Sequence, residues 1–145
     1  MKKITVVIPF YNEEGNILRL LKDLTKELSK INNFNCDICL IDDCSTDQGK
    51  KIVKSFIEKN RDCKIRLIEN KLNIGKTFSI QKAIKLISTD FLIFMDGDYQ
   101  DDPKDIKKFA SKANDGYDLV IGYQDKNYSL FVQLCGHIYK LILTA

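Results

Sequence analysis

Short apolar runs alternate with stretches of helical periodicity along almost the whole chain, and no other feature restricts the fold as much. Residues 4–8 (ITVVI), 36–41 (CDICLI), 64–68 (KIRLI), 91–95 (FLIFM) and 118–122 (DLVIG) have the length and side chains of buried strands. Between them, apolar residues recur at the spacing of one helix face. Ile17, Leu20, Leu21, Leu24, Leu28 and Ile31 form the first stripe, and Ile52, Val53, Phe56 and Ile57 the second. The third, over residues 76–88, places Ile80, Ala83, Ile84 and Ile87 inward, and the fourth Ile106, Phe109, Ala110 and Ala113. Asn12 is placed to cap the first helix, Ser45 or Thr46 to start the second, and Pro103 suits the first turn of the fourth. A further helix is expected from near Tyr128. Strands joined by helical crossovers make a mostly parallel sheet with helices on both faces, an α/β fold. The sequence has no internal repeat, low-complexity tract or linker, so residues 1–145 are read as a single domain.

In such a sheet the strands point one way, and ligands gather beyond their carboxyl ends. There the chain places PFYNEE, DDCSTD, ENKLNIGK, DGDYQDD and GYQDK. In extended backbone Asp96, Asp98 and Gln100 share a face and would present oxygens to one point, whereas the pair Asp96–Gly97 is also a common turn pair and would suit a surface turn. Hard oxygen ligands of this kind suit Mg²⁺ or Mn²⁺, with waters and substrate phosphates completing the shell. An EF-hand reading of the same stretch fails, with Asp101 where the loop needs Gly and Lys107 where it needs Glu. Of the adjacent carboxylates Asp42 and Asp43, one is free to cap the next helix and the other to accept hydrogen bonds from a base imide or a ribose hydroxyl. Tyr11 offers a ring that would stack on a nucleobase or simply pack. The tract NKLNIGKT (70–77) nearly spells a phosphate-binding P-loop, with Asn70 in place of its first Gly. That supports an alternative reading as a nucleoside triphosphatase dependent on Lys76, which would leave Asp98, Gln100 and DDCS without a task. The absence of GxGxxG argues against a nicotinamide or flavin enzyme.

Charge and cysteine content narrow the partners. With 23 basic and 20 acidic residues the net charge of +3 is too balanced to argue for nucleic acid. Five cysteines, an odd number, without a leader peptide suggest reduced thiols and a cytoplasmic location. Cys36 and Cys39 fall on opposite sides of a strand and read as core residues rather than a metal or redox pair. His137, the single histidine, has no partners that would form a nucleophilic triad. No run reaches the ~18 apolar residues of a membrane span. Near the end, Leu130, Phe131, Leu134, Ile138, Leu141 and Ile142 follow helical spacing, which suits either a helix resting on a membrane or one packed on the sheet.

VVIPFYNEEGNI, LIDDCSTD, NIGK and FLIFMDGDYQDDP, in that order and followed by YDLVIG, resemble family 2 glycosyltransferases of the GT-A fold, a Rossmann-like nucleotide-diphospho-sugar transferase fold. The resemblance covers nearly the whole chain. MDGDYQDDPKDI is most similar to the branch that transfers a sugar from a UDP- or GDP-sugar donor to a polyprenyl or dolichyl phosphate. It implies that Pro9, Tyr11 and Glu13 line the nucleotide pocket, that Ile41 and Asp43 contact base and ribose, and that Asp96 and Gly97 lie against the donor. It implies further that Asp98, the catalytic residue, holds Mg²⁺ or Mn²⁺ together with Gln100. The acceptor would be a lipid phosphate or a glycan, and the site of action the inner face of a membrane. The family's domain continues past the fifth strand, so the fold is expected to be incomplete at its C-terminus. A nucleotide-sugar-binding fragment without turnover is therefore a second reading. Gln124 stands near the place where that branch commonly carries an Arg, and Lys126 is its nearest substitute.

Overall fold

Four parallel strands are built around β1 (Lys3–Phe10) in the computed structural model, which describes residues 1–122. β2 (Asn35–Asp42) pairs with β1 from Lys3↔Asn35 to Phe10↔Asp42, β3 (Ile65–Glu69) extends the sheet beyond β2, and β4 (Phe91–Phe94) lies on the other side of β1. The strand order is β3-β2-β1-β4. Helices α1 (Ile17–Leu28), α2 (Gly49–Lys59), α3 (Lys76–Leu86) and α4 (Ile106–Asn114) provide the crossovers. No helix among the described residues is long and apolar enough to cross a membrane.

The continuous apolar run of β1 follows from burial on both faces. Ile4, Val6, Ile8 and Phe10 enter the larger core with Ile17, Leu20, Leu21 and Leu24 of α1 and Val53 and Phe56 of α2. Val7 faces the opposite way, with Cys39, Ile41 and Ala83 of α3. Cys36 packs against the first cluster and Cys39 belongs to the second, so the CxxC thiols face apart as the strand period requires. Pro9 sits in the central strand without damage to the ladder. Its backbone faces β4, where pairing ends at Val7↔Phe94, so the missing N–H leaves no bond unmade.

Several local expectations are corrected. Asn12 does not cap α1, whose N-cap is Asn16. Instead Asn12 has a φ of 56° and its Oδ1 accepts from the backbone N–H of Thr46 at 2.8 Å, closing the turn that leads into α2. That turn delays α2 to Gly49. Pro103 opens a 3₁₀ turn (Pro103–Asp105), capped by Asp102, that runs into α4. In α3 the buried residues are Ser79 and Ala83, while Ile84 is 42% exposed. The Ser79 hydroxyl is hydrogen-bonded in the interior (below), and this polar anchor sets the rotation of the helix against its apolar stripe. Residues 118–122 form no fifth strand, and Leu119 and Ile121 are 77% and 80% exposed. After the turn at Gly116, with a φ of 92°, residues 118–122 lie across a gap of about 350 Å³ from β4 and Phe109 and do not pair with that edge. The helix expected near Tyr128, the stripe from Leu130 to Ile142, Gln124, Lys126 and His137 lie outside the described residues.

The orientation of α3 is testable. Ala83→Leu is expected to cost about 1–3 kcal/mol by overpacking against the sheet. Ile84→Ala, on the exposed side, should stay within about 1 kcal/mol. Urea denaturation of both variants measures the difference, and the reverse order would place Ile84 inside.

Candidate functional site

Beyond the carboxyl ends of β1, β2 and β4 lies a cavity of about 230 Å³. Pro9 and Phe10 end β1 there, Tyr11 and Glu13 follow, Asp43 comes from the end of β2, Lys76 opens α3, and Asp96, Gly97 and Asp98 leave β4. The structure thus brings together seven of the residues singled out in the sequence: Pro9, Tyr11, Glu13, Asp43, Asp96, Gly97 and Asp98. Tyr11 is 44% exposed, with ring surface open to a ligand. The Ile41 side chain is fully buried in the core on the α3 side of the sheet and does not reach the cavity. Gln100 lies just outside the lining residues.

Asp43 organises one wall. It is 4% exposed, and an anion so buried needs donors on all sides. Its Oδ1 accepts from Asn70 Nδ2 at 2.8 Å, from the Ile74 backbone N–H at 3.0 Å and from the Ser79 hydroxyl at 3.0 Å. Its Oδ2 accepts from the Gly75 backbone N–H at 2.8 Å. Burial alone would raise its pKa, but these donors together outweigh burial and hold it below the usual carboxylate value. Asn70 is held in turn by Lys82, whose Nζ donates to Asn70 Oδ1 at 2.7 Å. The neighbouring Asp42 turns to the β2–α2 loop, accepting from the Ser45 N–H at 2.9 Å.

This network accounts for the near miss to a P-loop. The N–H groups of Ile74 and Gly75, which would cradle a phosphate, bind the chain's own carboxylate. Asn70, the residue that breaks the pattern, is the one whose amide reaches Asp43. The triphosphatase reading therefore loses two of the N–H groups its cradle would use. Lys76 points elsewhere, pairing with Asp96 across the cavity. The sequence singled out Lys76 for the triphosphatase reading alone, and its pairing with Asp96 of the β4 loop has no local signal.

Residues 96–100 are not extended as expected. The chain turns at Gly97–Asp98, and Tyr99 takes a φ of 64°. Two contacts cause this. Gly97 lies so close to β1 that a Cβ there would stand 2.8 Å from Phe10 Cβ and 3.2 Å from the Pro9 carbonyl oxygen. Tyr99 is drawn to α1, where its hydroxyl donates to Asp23 and Arg19 stacks on its ring at 4.2 Å. Asp98 Oδ1 accepts the Gln100 N–H at 3.0 Å, and Asp101 accepts the Asp96 N–H at 3.1 Å. Among the described residues no three His, Cys, Asp or Glu side chains converge as a ready metal cage. Asp98 lines the cavity and offers a hard carboxylate oxygen, the ligand type of a divalent cation that takes one or two carboxylates and completes its shell from substrate phosphates.

Comparison with known proteins gives this geometry a context. Residues 5–133 match the family described as Glycosyl transferase family 2. An uncharacterized protein of Methanocaldococcus jannaschii is 35% identical over 144 residues, 96% of this chain and 59% of that one. An undecaprenyl-phosphate 4-deoxy-4-formamido-L-arabinose transferase of Serratia proteamaculans is 32% identical over 120 residues, 83% of this chain and 36% of that one. The chain thus spans less than two thirds of the length of these relatives. A mannosyltransferase from Pyrobaculum calidifontis, solved with GDP-Man and Mn²⁺, superimposes with a TM-score of 0.63 at 22% identity, covering 77% of this chain and 32% of that one. The fold is the GT-A fold.

Asp43→Asn should lower stability by about 2–4 kcal/mol, because an amide cannot accept from both sides of the pocket. The lowered pKa fixes the sign of the pH effect. The contribution is full above the unfolded value, about 4, and is lost as the pH falls through the folded value below it. Urea midpoints at pH 7, 4 and 3 should therefore show wild type and variant converging only at the acid end.

Proposed function

The chain belongs to glycosyltransferase family 2, and we propose that its cavity binds a nucleotide-diphosphate sugar and presents the sugar to a polyprenyl phosphate. The observation that carries this is the meeting of Tyr11, Glu13, Asp43, Asp96, Gly97 and Asp98 at one cavity on the carboxyl edge of a parallel sheet. Tyr11 stacks on the base. Asp43 Oδ2 holds one backbone donor and keeps a lone pair for a ribose hydroxyl or a base imide. Ile41 acts from beneath, fixing the strand end that carries Asp43. Gly97 lets the donor lie close to the backbone, and Asp96 accepts from the sugar hydroxyls.

Asp98 and Gln100 hold Mg²⁺ or Mn²⁺. When bound, the ion neutralises the negative charge that grows on the departing nucleoside diphosphate. The polyprenyl phosphate acceptor is supported by the Serratia proteamaculans relative, whose name states an undecaprenyl-phosphate substrate. It also fits a site that needs no general base, since a phosphate monoester is already anionic at pH 7. Such an acceptor brings the chain to the inner face of a membrane.

Calorimetric titration with UDP-glucose and GDP-mannose, in Mn²⁺ and in chelator, tests the reading. Metal-dependent binding of one donor is expected, weakened at least about tenfold (~1.4 kcal/mol) by Asp98→Ala. A folded protein that binds neither donor in either condition would refute it.

A further inference from the structure

Every described group that lines the cavity and carries full charge is a carboxylate, except one. Glu13, Asp43, Asp96 and Asp98 face a single cation, Lys76. A nucleoside diphosphate entering such a space meets repulsion unless a cation receives it. The two N–H groups just ahead of α3 are already taken by Asp43, at 3.0 Å for Ile74 and 2.8 Å for Gly75, and are not available to an incoming anion.

We propose that Lys76 receives the donor's diphosphate, and that Asp96 holds this ammonium in place until the donor displaces it. The inference rests on the donor-binding reading above. Lys76 is the first residue of α3, and the Asp43 network fixes the backbone beneath it. The side chain itself is 58% exposed and that of Asp96 44%. An ion pair so open to water contributes little to stability, so exchanging a carboxylate for a more highly charged diphosphate is favourable. The exchange also frees the Asp96 carboxylate at the moment the sugar arrives. One pair of side chains thus sets an order: the diphosphate takes Lys76, and the sugar hydroxyls then take Asp96.

The divalent ion is a second possible source of positive charge, so the test separates the two. The nucleoside, its monophosphate and its diphosphate, of whichever base binds, are titrated into wild type, Lys76→Met, Lys76→Arg and Asp96→Asn, with chelator and with Mn²⁺. In chelator, Lys76→Met should weaken the diphosphate about tenfold or more and leave the nucleoside within about twofold. Lys76→Arg should retain most of the diphosphate affinity. Asp96→Asn, which releases the ammonium, should tighten the sugar-free diphosphate. Raising the salt concentration should weaken the diphosphate in wild type and do so less in Lys76→Met. Equal losses for nucleoside and diphosphate would mean that Lys76 only supports the fold. An unchanged diphosphate affinity in Lys76→Met would refute the inference while leaving donor binding intact. Absence of all binding in wild type would refute both readings together.

Discussion

The buried carboxylate of Asp43 is the contact on which the site's geometry depends. An ion at 4% exposure is tolerated only where donors replace water, and here four donors come from three places in the chain: Asn70 after β3, the 74–75 backbone and Ser79 within α3. The bonds run in both directions. They hold Asp43 charged, and they also tell the β3–α3 loop where to stop and α3 where to begin. Because Ser79 is tied at the first turn, the helix meets the sheet through Ser79 and Ala83, its small residues, and lies close above Val7 and Ile41. Larger residues such as Ile84 are turned out.

A second set of contacts does the same for the remaining loops. Glu14 donates its N–H to Asp47 at 2.8 Å and accepts the Gln48 N–H at 2.9 Å, while Asn12 accepts from Thr46 at 2.8 Å. The loops after β1 and β2 are therefore joined polar group to polar group, ahead of the helices that follow them. On the far side, Tyr99 fastens the β4 loop to α1. Loops carry function when a rigid scaffold positions them. Here three loops are positioned by hydrogen bonds to one another as much as by the sheet.

That division explains what the sequence revealed and what it concealed. Strand and helix identities were legible because burial on two faces makes most of β1 and the Ile38–Ile41 stretch of β2 apolar and gives α1 its stripe. The membership of the cavity was legible too, since the carboxyl ends of parallel strands converge whatever the loops do. Side-chain partners across sequence distance were not. Nothing local marks Asn12 as a cap for a turn 34 residues on, or Asp43 as the anion for a loop at residues 74–75. The turn at Gly97–Asp98 had one local mark, the Asp96–Gly97 pair, but what fixes it is contact with Phe10 and the pull of Asp23 upon Tyr99, neither of which is local. The strand expected at 118–122 shows the converse, a strand-like local pattern that lies beside the β4 edge without pairing to it.

The distribution of charge carries a consequence for ligand choice. Asp43 is neutralised by dipoles, N–H and O–H, and not by a cation, so the wall it builds remains electronegative toward the cavity. Lys76 answers Asp96 alone, leaving Glu13 and Asp98 without a described cation beside them in the cavity. A bare polyphosphate would have to overcome that field, whereas a diphosphate that arrives with a divalent ion brings its own compensation. On the proposed reading the same field would disfavour triphosphates more than diphosphates, because among the described residues one ammonium, that of Lys76, lines the cavity. Recognition of the uncharged parts then falls to the groups the hydrogen-bonded loops hold still: a tyrosine ring on one side and a glycine backbone on the other.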